Sequence, residues 1–89
     1  MSVRHNSALS RYELKTANGL ALAVYHEQGK RRLFTHTEVP RADEGQGIGS
    51  RLVRAALDDT RANGFTAVPA CSFVVDFMRR HPEYGVHGD

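Results

Sequence analysis

From residue 11 to residue 39 apolar and polar side chains alternate with a period of two, and from residue 48 the period lengthens to that of a helix. Arg11 to Thr16 reads as a strand, and Ala17-Asn18-Gly19 supplies a turn whose Asn-Gly pair tolerates positive φ, so a hairpin is expected. The second strand places Leu20, Leu22 and Val24 on one face and stops at Gly29. The third, "RRLFTHTEV", puts Leu33, Thr35, Thr37 and Val39 on one face and Phe34, His36 and Glu38 on the other. Beyond Ile48 a helical stripe follows, formed by Ile48, Leu52, Val53, Ala55, Ala56 and Thr60, and Asn63-Gly64 ends it. "FTAVPAC" is then a short buried strand, and "SFVVDFMRRH" a second helix with Ser72 as N-cap and a stop at Pro82. The predicted class is mixed α/β (α+β): an antiparallel three-stranded meander followed by helix, strand, helix. The third and fourth strands are expected to be parallel neighbours joined by a right-handed crossover. Residues 1–10 and 85–89 read as loose ends around one domain spanning 11–84.

Composition narrows the class. At 89 residues, with 40% hydrophobic and 25% charged positions, the chain is expected to form one small globular domain. No apolar run approaches the roughly 18 residues of a membrane span. The stretch "MSVRHNSALS" lacks the apolar core of a secretory signal, and the single Cys71 has no internal partner, so a reducing, cytoplasmic location is the default expectation. The net charge of +2 comes from 12 basic and 10 acidic residues interspersed along the chain. The short clusters Lys30-Arg31-Arg32 and Arg79-Arg80 have no interleaved aromatic residues to stack bases, which argues against nucleic acid as a partner.

The stretch that asks for chemistry is "EVPRADEGQGIGSRLVRAAL", where Gly45, Gly47 and Gly49 immediately precede and enter the first helix. Glycine-rich backbone at a helix N-terminus suits an anion such as phosphate; equally, it can be a bare tight turn. A Walker loop is excluded, because Gly49 is followed by Ser50-Arg51 rather than Lys-Ser or Lys-Thr. A dinucleotide fingerprint is excluded as well, since 89 residues leave no room for two mononucleotide halves. Glu44-x-x-Gly47-x-Gly49, however, resembles the Gln/Arg-x-x-Gly-x-Gly/Ala motif of the GNAT N-acetyltransferases, and "HTEVP", "GQGIGSRLVRAAL", "VPACSFV" and "RRHPEY" resemble its small single-domain members. The likeness extends from about Tyr12 to Tyr84. Two positions depart from it: Glu44 stands where Gln or Arg is usual, and Ser72 where this subfamily usually has proline.

This resemblance implies a minimal GNAT-like fold and acetyl-CoA or CoA as cofactor. The loop Gly45, Gln46, Gly47, Ile48, Gly49, Ser50 and Arg51 would hold the pyrophosphate, and Thr37, Glu38 and Val39, ahead of Pro40, would pair with pantetheine. A carboxylate at Glu44 would repel a pyrophosphate unless it turns away.

His36 and Cys71 are the candidate catalytic residues. Imidazole suits proton removal from an ammonium near neutral pH, and a thiol at a helix N-terminus is an acid or a nucleophile. Phe73 and Phe77 read as core, and Tyr84 as packing. The remaining histidines form no tetrahedral set, so no metal is expected. The leading function is acetyl transfer to an amine, on a protein or peptide among the candidates, by direct attack. A noncatalytic CoA-binding module is the alternative. Oligomeric state is not legible in the sequence.

Overall fold

The computed structural model describes residues 2–84 as one twisted five-stranded sheet with two helices. The strands are β1 (Val3–Asn6), β2 (Arg11–Thr16), β3 (Gly19–Gln28), β4 (Arg31–Glu38) and β5 (Thr66–Pro69), in that spatial order. β1 to β4 run antiparallel and β5 lies parallel to β4. The helices are α1 (Ile48–Ala62), between β4 and β5, and α2 (Ser72–Arg80) after β5. Short 3-10 turns cover Ser7–Leu9, Arg41–Asp43 and Pro82–Tyr84. The anticipated loose tail, 85–89, lies outside the described residues.

The core forms where α1 lies across the sheet. Leu52, Val53, Ala56 and Leu57 project from α1 onto Leu14, Ala21 and Ala23, all essentially inaccessible to water. Each fully buried Leu or Val stabilises the fold by about 1.5–3 kcal/mol relative to an exposed one. Phe77 and Val74 of α2 complete the same cluster with Phe34 of β4. The helical stripe expected from sequence is therefore present, with Leu57 added and Ala55 only half-buried.

Two expectations need correction, and the structure also decides which face of β3 is covered. The first ten residues are not loose: Val3–Asn6 pair with Arg11–Leu14 as an edge strand, and the His5 ring stacks on Tyr12 at 4.3 Å between centroids. In β3 the buried face is Ala21, Ala23 and Tyr25, whereas Leu20, Leu22 and Val24 face away from the helices, Leu20 being 38% exposed. The small alanines let α1 approach the sheet closely, which a leucine row would prevent. Finally, β4 does not alternate uniformly. Tyr25 pairs with Phe34 but Val24 pairs with His36, so Thr35 is an extra residue on β4. Such a bulge reverses the alternation of the strand. Phe34 and Thr37 consequently share the helix-covered face, while Leu33 and His36 share the open face.

Candidate functional site

At the C-terminal end of β4, next to the start of α1, a cleft of about 360 Å³ opens to solvent. Thr37 and Val39 line it from β4 and its extension, Gly45 and Gly47 to Ser50 from the glycine loop and first turn of α1, and Phe73 and Arg80 from α2. Gly45 and Gly47 adopt φ of 86° and 76°, in the left-handed region where a side chain is strained. A Cβ at either would meet no atom within 4 Å, so these two glycines serve the backbone path. Gly49 differs: its φ is ordinary, but a Cβ there would stand 2.6 Å from Cζ of Phe73. Its bareness lets α2 sit against the first turn of α1.

No side chain caps α1 and no acidic residue occupies its first turn. The first intrahelical bond runs from the Arg51 amide to the Gly47 carbonyl at 3.1 Å. The amides of Ile48, Gly49 and Ser50 thus have no helical acceptor, and these residues line the cleft at the positive end of the helix dipole. Donors left free in this way match an anionic group.

Asp43 and Glu44 both line this cleft, with different consequences. Asp43 is 2% exposed; it accepts from the Thr16 hydroxyl at 2.6 Å and from Asn18 Nδ2 at 2.8 Å. Those two hydrogen bonds, Thr16 first, hold its carboxyl below the usual aspartate range. Its charge is committed to tying the glycine loop to the β2–β3 turn. Glu44 is exposed and forms no ion pair with another described residue.

β5 pairs with β4 only over Arg31–Phe34, and among the described residues no strand pairs with Thr35–Glu38 on that side. Pro69 has no N–H to continue the ladder, and the last bond across the gap runs from the Ala70 amide to the Phe34 carbonyl at 3.0 Å. Past that point the two strands are free to part, and the edge of β4 opens beside the cleft. Cys71, at the N-cap position just before α2, lies next to this edge with its Sγ 3.6 Å from Thr37 Oγ1. Ser72, the expected cap, is instead the first helical residue.

The two candidate catalytic residues are not brought together. Thr37 pairs with buried Ala23 and lies with Cys71 on the helix side; His36 pairs with Val24 on the open side. There His36 Nε2 lies 2.9 Å from Glu38 Oε1, both side chains being more than half exposed. Among the residues expected at the cofactor, Thr37, Val39, Gly45, Gly47, Ile48, Gly49 and Ser50 line the cleft. Glu38 turns to His36, and Gln46 and Arg51 are exposed outside the lining. Sequence reasoning missed Phe73, assigned to the core, and Arg80, assigned no role. Their separation of seven residues, two helical turns on one face, was the available signal. Tyr84 is packing, buried against Phe77 and bonded to Arg54 Nη1 at 3.3 Å.

A five-stranded sheet whose last strand pairs with only the first half of β4, beside a glycine-rich helix N-terminus, is a GNAT-type arrangement, and comparison with known proteins agrees. The profile of the GCN5-related N-acetyl-transferase family matches residues 11–87, and the chain belongs to that family. It is 36% identical over 63 residues to protein NATD1 of Bos taurus and 35% identical to that of Homo sapiens, covering 70% of this chain and 56% of each relative. The matched stretch therefore spans little more than half the length of those relatives. In fold, the chain is similar to a GCN5-like protein of Staphylococcus aureus solved by NMR, with a TM-score of 0.73, 22% identity, and coverage of 93% of this chain and 82% of the other.

The residues present fit the family's cofactor. A first helical turn of unpartnered amides suits a pyrophosphate, the open edge of β4 offers backbone groups to an amide-bearing arm, and the carboxylate of Asp43 is already satisfied. Glu44 is the one discordant charge.

Proposed function

We propose that the protein is an acetyl-CoA-dependent N-acetyltransferase. The observation that carries this reading is the single cleft lined by both the uncapped first turn of α1 and the open end of β4. Bound there, acetyl-CoA supplies an activated thioester. The amides of Ile48, Gly49 and Ser50 hold its pyrophosphate, the backbone around Thr37 to Val39 aligns its pantetheine arm, and Phe73 closes the apolar wall.

The acceptor amine comes from the open face of the sheet. If the proton on His36 Nε2 is directed to Glu38 Oε1, Nδ1 is left to accept a proton from the attacking ammonium. Cys71, on the helix side of the same strand edge, would give a proton from Sγ to the departing thiolate. A base must reach its nucleophile within hydrogen-bond distance, and the sheet stands between His36 and Cys71, so the arrangement favours direct attack over an acetyl-cysteine. No helix among the described residues covers Leu20, Leu22 and Val24, and an extended acceptor such as a protein or peptide amine suits so open a surface.

Calorimetry with acetyl-CoA and CoA tests the cofactor, and turnover with lysine peptides tests the reaction. Binding with turnover lost in both His36→Ala and Cys71→Ala is the expected result. Binding without turnover of any amine would leave a CoA-binding module. A mass gain of one acetyl group on Cys71 in the intact protein, discharged by added amine, would overturn direct attack.

A further inference from the structure

We propose that Arg80 is a phosphate clamp that selects the 3′-phosphorylated form of the cofactor and compensates for Glu44. The proposal rests on the acetyl-CoA reading above and deepens it. Among the described residues, three charged side chains line the cleft: Asp43, Glu44 and Arg80. Asp43 is bound to Thr16 and Asn18, which leaves one carboxylate and one guanidinium facing the same space, and neither forms an ion pair with a described residue. A cofactor carrying a pyrophosphate and a further phosphate thus meets a single cation. The first residues of α1 can satisfy one anionic group through their amides, but a second lies beyond their reach, because a helix dipole acts only within its terminal turn.

Arg80 is where a second group would be. Phe73 abuts the first turn of α1 at Gly49, and Arg80 follows seven residues, about 10 Å of helix, further along the same face of α2. A phosphate attached one sugar away from a pyrophosphate held at residues 45–50 faces that guanidinium, whose planar fork suits phosphate oxygens. Its neighbour Arg79 does not line the cleft and contacts Asp76 at 3.4 Å, which makes it a built-in control.

Calorimetry of CoA against dephospho-CoA, which lacks only the 3′-phosphate, is the test. The wild-type protein is expected to bind CoA about tenfold more tightly, the effect of one charge-assisted bond. Arg80→Gln should abolish this preference by weakening CoA alone, Arg80→Lys should retain part of it, and Arg79→Gln should leave it intact. The preference should shrink as salt is raised. Equal binding of the two ligands by the wild type, or equal weakening of both in Arg80→Gln, overturns the clamp while leaving the cofactor in place. Failure of the wild type to bind either ligand overturns the cofactor reading and the clamp together. Arg80 is exposed and buries no partner, so an unchanged melting curve will certify the variant's fold.

Discussion

The two ends of α1 meet the sheet in opposite ways. At its C-terminal end, Tyr12, Tyr25, Arg32, Asp59 and His5 form a closed polar network. The Tyr12 hydroxyl donates to Asp59 Oδ2 at 2.6 Å and accepts from Arg32 Nη1 at 2.8 Å, while His5 Nε2 lies 2.7 Å from the Tyr25 hydroxyl. Arg32 also donates to Glu27 at 3.1 Å and lies 4.1 Å from the centre of the Phe65 ring. Burial, and then the bond to Asp59, push the Tyr12 hydroxyl above the usual tyrosine range, so it stays a donor. At the N-terminal end, amides lack helical acceptors, Glu44 and Arg80 lack ionic partners among the described residues, and glycines replace side chains. The satisfied end holds the fold together; the unsatisfied end keeps its hydrogen-bonding capacity for a ligand.

Substitutions can break this division, and the largest effect is expected at the closed end. Arg32→Ala should destabilise the protein by about 2–3 kcal/mol, because it strands the partners of a buried guanidinium. For a domain of this size that lowers Tm by roughly 10 °C or more. Chemical denaturation measures the loss, and CoA affinity at a temperature where the variant is folded should match the wild type. A large affinity loss would show that the two ends are coupled.

Gly47→Val reverses the pattern. The positive φ should cost about 1–2 kcal/mol of stability, while the β-branched side chain in the cleft lining should reduce CoA binding more than a hundredfold, about 2.7 kcal/mol. Calorimetry on the folded variant checks it, and unchanged affinity would remove the cofactor from this cleft. Gly49→Ala sits between these extremes. Its methyl must displace the Phe73 ring, so a destabilisation of about 1–3 kcal/mol should accompany weaker CoA binding.

Two smaller effects sharpen the contrast between neighbouring carboxylates. Because the folded state lowers the pKa of Asp43, its stabilising contribution is complete above the unfolded value near 4 and is lost as pH falls through the lower folded value. Asp43→Asn should therefore reduce Tm at pH 7, with the difference from wild type closing as the pH is lowered well below the unfolded value, as measured by thermal melts. Glu44→Gln should leave Tm alone and tighten CoA binding about two- to fivefold, more at low salt. A salt-independent response in titrations at two ionic strengths would mean that Glu44 points away from the phosphates.

Much of this was readable without coordinates. Both helices lie where the 3.6 period placed them, the Asn18-Gly19 turn joins β2 to β3, and Gly45 and Gly47 do adopt the backbone that only glycine takes comfortably. Local pattern suffices there, because a stripe, a stop signal and a positive φ are properties of a few consecutive residues. The face of β3 that meets the helix was not local. Leu20, Leu22 and Val24 are the more hydrophobic row, yet Ala21 and Ala23 are covered, since how closely α1 can approach depends on both surfaces at once. β1 escaped notice because "VRHN" carries no strand pattern of its own and is held by pairing with β2 and by the stack of His5 on Tyr12. The bulge at Thr35 is likewise a feature of two strands in register, and by reversing the faces of β4 it sends Thr37 to the helix side with Cys71 and the His36–Glu38 pair to the open side. Residue types and spacings thus determined which groups were available for chemistry. Which of them share a face was decided by packing between segments distant in sequence, because strand alternation defines two faces and only a partner element determines which one is covered.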